Sequence, residues 1–390
     1  MSRLRPLARA WTAAALILLN TLALLVALNL IAWLALALAG AAGHRVSPAY
    51  DGLMSYGHEV LRQVYPGRSD ADIEALLRET WTLPLVYEPY TQFRESAVSG
   101  RWVNVDPAGF RRDAAGGPPW PPPGSDRTVF LFGGSTIFGY GLADGETLAE
   151  RLASRLADAV PSDGAVRVYN FGRAYYNSTQ ERVLFERLLA AGHRPWAAVF
   201  VDGLNDTLLW PRHRDEPQHT EAFRDFVARR RFNVGWGTDD PDPSGLWRAL
   251  QRLPLVRAAQ GLLRRAGRDA RREALEAGDP GAGELAREAR ELAAVHAANR
   301  RLAAAAAAAH GVETLWVLQP VPWVRYDLSR HHFRPPPETS AGLERRFAAA
   351  YGALRGAAAG APADCSGALE GLAEPAYLDT HHYTAAAVEE

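Results

Sequence analysis

The chain has 390 residues, enough for one large or two ordinary domains with a sizeable core. Its formal net charge is −1, so no bulk positive charge draws it to nucleic acid, and all 43 basic residues are arginine, which removes every mechanism that needs a lysine. The single cysteine, Cys365, excludes an internal disulfide and a cysteine-built metal site.

Residues 1–10 carry Arg3, Arg5 and Arg9, and the following run from Trp11 to Gly40 contains no charged residue. An α-helix needs about 20 apolar residues to cross a bilayer, whereas the apolar region of a signal peptide has roughly 7–15. The run is too long for a simple signal peptide and predicts a retained transmembrane anchor over 11–40. Arginines in front of it favour a cytoplasmic N-terminus. The rest of the chain is then expected outside the cytoplasm, held at the inner membrane by a single pass.

Residues 41–126 read as an extracytoplasmic stalk or cap. "DADIEALLRETW" predicts a short amphipathic helix, "LPLVYEPYTQFRE" is aromatic and extended, and "GGPPWPPPGSD" (116–126) is a stiff proline-rich linker marking a boundary. Beyond it the pattern changes. "RTVFLFGG" reads as a buried strand and "ETLAERLASRLADAV" as a helix, followed by the strand "VRVYNFG" and the helix "STQERVLFERLLAAG", ending at Gly192. "AAVFVDGLND" is a third strand and "ETLWVLQPVPW" a fourth. This alternation predicts an α/β domain over 127–390 with a parallel sheet covered by helices on both faces.

Between the third and fourth strands lies a long, largely helical insertion, roughly 207–296. Its basic amphipathic stretch 246–276 would suit anionic lipid or an acidic polymer, although such faces are more often simply solvated. "RLAAAAAAAHG" is a strong helix former that calls for no functional explanation.

In open α/β sheets, ligands bind at the carboxyl ends of the strands. Four polar features fall there: Ser135 after strand one, Gly172 after strand two, Asn205 and Asp206 after strand three, and Asp379, His381 and His382 in "LDTHHYT". Together they contain a hydroxyl nucleophile, a base, an orienting carboxylate and candidate oxyanion donors, the parts of acyl-transfer chemistry. A Walker phosphate loop needs a lysine, and the dinucleotide glycine pattern cannot be laid over "FGGSTIFGYG" in frame. Glycines 133 and 134 would also suit a plain tight turn. The pairs His331–His332 and His381–His382 would each offer one ligand at most if extended, so no metal and no cofactor is expected.

The order of these marks resembles the SGNH/GDSL hydrolases, and more closely their membrane-anchored bacterial branch. The matching residues are Ser135 in "FGGST", Gly172 in "YNFG", Gly203-Leu204-Asn205-Asp206, and Asp379-Thr380-His381-His382. The segment "YEPYTQF…GRWVNVDPAGFRRD" is also similar to what precedes the domain in that branch. The resemblance implies a flavodoxin-like three-layer α/β/α sandwich after the transmembrane helix. It implies a catalytic triad of Ser135, His382 and Asp379, with an oxyanion hole from the Ser135 and Gly172 N–H groups and the Asn205 amide. The chain departs from the common Gly-Asp-Ser at Gly134, where that pattern has aspartate, and the 207–296 insertion is atypical.

The expected function is a membrane-anchored serine esterase acting through an acyl-enzyme on O-acyl esters of an extracytoplasmic carbohydrate or lipid. The alternatives are an O-acyltransferase of an exopolysaccharide pathway, with polysaccharide-biosynthesis partners, and a non-catalytic glycan- or lipid-binding scaffold.

Overall fold

The computed structural model describes residues 4–41, 47–124, 126–159, 165–215, 253–256, 258–259, 281–356 and 362–390. The chain divides into two compact units: Met1–Arg45 with Asn233–Asp279, and Val46–Phe232 with Pro280–Glu390.

The first unit contains helix α1 (Leu4–Ala41), whose segment Trp11–Ala35 has 25 residues at a mean hydropathy of 2.4. At about 1.5 Å per residue that stretch exceeds the roughly 30 Å hydrocarbon core of a bilayer. Two of its polar residues bond within the helix: Thr21 Oγ1 donates to the Ile17 carbonyl and Asn29 Nδ2 to the Leu25 carbonyl, both at 2.8 Å. Asn29 Oδ1 accepts the N–H of Leu255 at 3.2 Å. Most of the basic stretch 246–276 lies outside the described residues.

The second unit opens with helices α2 (Pro48–Met54), α3 (His58–Val64) and α4 (Asp70–Trp81). Helix α4 starts where its sequence dictates, with the Ser69 side chain accepting the Asp72 N–H at 3.2 Å. Two hairpins follow, β1 (Leu85–Glu88) with β2 (Gln92–Glu95), and β3 (Val98–Ser99) with β4 (Asn104–Val105).

Next come β5 (Arg127–Gly133), α5 (Ser135–Phe138), α6 (Leu148–Ala159), β6 (Val166–Asn170), α7 (Ser178–Ala190), β7 (Ala197–Asp202) and α8 (Leu204–Asp215). The unit finishes with α9 (Ala282–Ala308), β8 (Glu313–Leu318), α10 (Pro337–Arg355), β9 (Ala363–Asp364) and α11 (Ala385–Glu389). Strands β5 to β9 form one parallel sheet in the order β6-β5-β7-β8-β9. Numbered within the sheet this is 2-1-3-4-5, the flavodoxin-like order, and its topological switch point lies between β5 and β7.

Both faces of the sheet are covered, which is why β5 reads as a nearly continuous apolar run. Val129 and Leu131 point to the side of α6, together with Val168 and Val201. Phe130 and Phe132 point to the side of α7 and the end of α9, where Leu184, Phe185, Ala303 and Ala307 close the layer. There Phe132 stacks on Phe200 at 4.9 Å and Phe200 on Trp316 at 4.1 Å, an aromatic column across three strands.

Residues 47–124, expected as a stalk or cap, belong to the same compact unit as the sheet. Leu61, Ile73, Leu76 and Leu77 share one core cluster with Leu378 and Tyr383. Trp120, in the middle of the proline-rich segment, packs against Phe110, Tyr169 and Phe171. An amphipathic helix and an indole bury their apolar faces on the nearest available surface, and here that surface is the sandwich. The short hairpins and the two-residue β9 carried too little periodicity to be read beforehand.

Truncating the aromatic column tests this architecture. Phe200→Ala should lower unfolding free energy by about 3–5 kcal/mol, measured by urea denaturation of the unit. A loss below about 1 kcal/mol would place Phe200 outside the core.

Candidate active site

Ser135 opens α5 directly after β5, and Asn205 lies in the first turn of α8 directly after β7. The two strands are neighbours, so the fold brings these residues together at the switch point. Gly134 explains the tightness of the junction: a Cβ on it would stand 2.4 Å from Asn205 Nδ2. Any side chain there, aspartate included, would have to displace Asn205.

The segment after Leu378 supplies the partners. His382 Nε2 lies 2.9 Å from Ser135 Oγ, and His382 Nδ1 lies 2.6 Å from Asp379 Oδ2. The other Asp379 oxygen accepts the backbone N–H groups of His381 and His382 at 2.9 and 2.8 Å. Burial alone would raise the Asp379 carboxyl, but the His382 imidazole and these donors hold it well below the usual carboxylate range. An ionised Asp379 fixes the proton on Nδ1, leaving Nε2 as the acceptor facing the serine hydroxyl. Ser135 remains partly exposed while His382 is buried.

The neighbouring histidine differs in kind. Burial and then the adjacent His382 lower the His381 pKa to about 4, so it is neutral near neutrality. Asp379, His381 and His382 offer ligand atoms within 4.8 Å of one another. Both ring nitrogens of His382 are nevertheless engaged by Asp379 and Ser135, which describes a proton-transfer chain rather than an ion cage.

The expected oxyanion donors fall into different places. The Ser135 N–H is the first of its helix and has no intrahelical acceptor. Asn205 Nδ2 donates one hydrogen to the Tyr176 carbonyl at 2.7 Å, which leaves its second hydrogen for another acceptor. Gly172 departs from its expected role, because its N–H donates to Asn170 Oδ1 at 3.0 Å. A Cβ at Gly172 would meet the Phe138 backbone nitrogen at 2.3 Å, so glycine is required there for close packing against α5. Asp206 accepts the Ser178 N–H and hydroxyl.

Several further residues shape the site: Arg111, Trp81 and Tyr140 were not singled out from sequence, and His331 was weighed only as a metal ligand. The buried Arg111 guanidinium donates to the carbonyls of Phe138, Gly139 and Leu142 at 2.9, 2.6 and 2.5 Å, and to Asp144 Oδ1 at 2.9 Å. It therefore holds the exit of the nucleophile turn. His331 Nδ1 accepts the Phe333 N–H at 3.1 Å, so its Nε2–H is the donor to the Thr380 carbonyl, also at 3.1 Å, inside the Asp379–His382 loop. Trp81, at the end of α4, meets the His382 ring edge-on at 5.1 Å, and Tyr140 lies 5.9 Å from the same ring. The only available signal was the upstream "GFRRD", which carries Arg111.

No protein-family model and no curated protein matches the chain. Among solved structures it is similar to AlinE4, an SGNH-hydrolase family esterase, at 22% identity over 28% of this chain and 57% of that one, with a TM-score of 0.20. It is also similar to LAE5, an alpha/beta hydrolase from the metagenome of Lake Arreo, Spain, at 16% identity over 58% of this chain and 75% of that one, with a TM-score of 0.22. The match thus spans little more than half the length of the first. Neither likeness is close enough to assign an activity.

Arg111→Met should destabilise the unit by about 3–5 kcal/mol, because Asp144 is left buried without its cation. Replacing both partners with apolar residues should recover much of that loss in thermal denaturation. Equal instability of the single and double variants would show that the carbonyl contacts, not the ion pair, dominate.

Proposed function

We propose that this chain is a membrane-anchored serine esterase that attacks O-acyl esters of a carbohydrate or lipid outside the cytoplasm. The observation that carries the reading is the continuous chain from Ser135 Oγ through His382 to Asp379, with separations of 2.9 and 2.6 Å. A serine hydroxyl is a weak nucleophile alone, and a histidine base held by a carboxylate is the arrangement that activates it.

In this reading, Ser135 Oγ attacks the ester carbonyl carbon while its proton passes to His382 Nε2. Asp379 stabilises the resulting imidazolium through Nδ1–H. Negative charge on the carbonyl oxygen is received by the Ser135 N–H and the free hydrogen of the Asn205 amide. His382 returns the proton to the departing alcohol, leaving the acyl group on Ser135, and water activated by the same imidazole releases it. The arginines ahead of the apolar run that begins at Trp11 support an N-terminus in the cytoplasm and a site on the opposite side.

A labelled fluorophosphonate should modify the full chain at Ser135, and Ser135→Ala and His382→Ala should abolish labelling. Asn205→Ala should lower kcat on p-nitrophenyl acetate by about 10²–10³-fold, the worth of one oxyanion donor. Folded protein that takes no label would overturn the enzyme reading. An unchanged kcat would reduce Asn205 to a strut for the Tyr176 carbonyl.

A further inference from the structure

The first unit joins two stretches far apart in sequence, Met1–Arg45 and Asn233–Asp279. Along the apolar run Trp11–Ala35 of α1 every residue is exposed except Asn29, which is partly exposed, and Ala32, which is buried. These two lie three residues apart, on one face of the helix. Asn29 is also the residue whose side chain accepts the Leu255 N–H at 3.2 Å. A piece of the 207–296 insertion thus rests on the apolar helix at one defined place.

The position of that place along α1 decides what surrounds it. Trp11 and Trp33 are both exposed, and indoles favour the two membrane–water interfaces. At 1.5 Å per residue they stand about 33 Å apart, close to the roughly 30 Å of bilayer hydrocarbon. Asn29 lies one turn inside Trp33, about 6 Å below that interface. An interfacial amphipathic helix buries its apolar face about 5–10 Å into the same zone.

The segment suits this depth. Residues 254–256 and 258–259 are helical, and 253–259 reads "LPLVRAA", with one charge. In hydrocarbon an unsatisfied backbone N–H costs several kcal/mol. Pro254, at the start of the helical residues, has no N–H to satisfy, and the N–H of Leu255 is taken by Asn29. The surrounding run 246–268 carries six arginines and no acidic residue. An arginine stem lies along apolar surface while its guanidinium reaches a headgroup phosphate.

We infer that residues 253–259 enter the bilayer beside α1, as a second, non-spanning membrane contact whose partner is an anionic phospholipid leaflet. This rests on the reading of α1 as a membrane anchor, and in the proposed orientation the leaflet is the outer one. A solvated basic face would take its backbone partners from water rather than from a side chain of the anchor.

Spin labels on the full chain, in vesicles of phosphatidylcholine and phosphatidylglycerol, test this by collision with oxygen, which concentrates in hydrocarbon, and with a polar nickel chelate, which does not. Leu253→Cys, Ala259→Cys and the anchor control Leu24→Cys are each made with Cys365→Ser. The exposed native Cys365, labelled in the unaltered chain, gives the water reference. Labels at Leu253→Cys and Ala259→Cys should meet the nickel chelate at least about tenfold less often than the label on Cys365, and oxygen more often, as Leu24→Cys does. Adding Asn29→Leu should raise nickel collisions at Leu253→Cys about threefold, because the Leu255 N–H loses its acceptor. No rise would overturn Asn29 as the residue that holds the segment. Nickel collisions at Leu253→Cys and Ala259→Cys equal to those at Cys365 overturn the inference. Rare collisions with both reagents do so too, since they would mean cover by protein. If Leu24→Cys is itself open to the nickel chelate, the anchor reading fails before this inference is reached.

Discussion

The buried Arg111 guanidinium is the constraint on which the site's geometry rests. Its side chain has no solvent exposure, and it binds one carboxylate and three carbonyls at the end of the Ser135 turn. Its own backbone N–H donates to the Asn170 carbonyl at the end of β6. One residue from the upstream segment thus ties the sheet edge to the nucleophile turn and to Asp144. A planar fork of five donors suits this task, and no other side chain supplies it. The turn has no aspartate beside Ser135, and Arg111 together with the Gly134–Asn205 contact accounts for how it is held.

The rest of the site follows a common pattern of opposite ends meeting. Ser135 and Asn205 come from adjacent parallel strands, whereas Asp379 and His382 arrive from a loop near residue 380. Gln319, just past β8, joins the two by accepting the Thr136 hydroxyl at 2.9 Å and the Tyr383 hydroxyl at 3.2 Å. Helix α4 adds Trp81 against the His382 ring, so the region ahead of the sheet belongs to the site as much as the strands do.

The strands and helices of the sandwich were legible because apolar periodicity reports burial directly. Asp379 and His382 were legible because they sit on one short loop, and Ser135 and Asn205 because they follow apolar strands. Arg111 was not, since an arginine in an irregular segment looks like a solvated charge until its acceptors are brought to it from about 30 residues away. Gly172 is ambiguous in sequence for a related reason. A glycine after a strand is consistent with a free N–H or with close packing, and only the approach of Phe138 distinguishes them.

The most direct measurement is rapid-quench mass spectrometry of the full chain mixed with p-nitrophenyl acetate. An acetyl group should appear on the peptide containing Ser135 within the first turnover, together with a burst of p-nitrophenol, and neither should form in His382→Ala. Ester turnover without any Ser135 adduct, or an adduct that forms equally without His382, would contradict nucleophilic catalysis through this chain of hydrogen bonds.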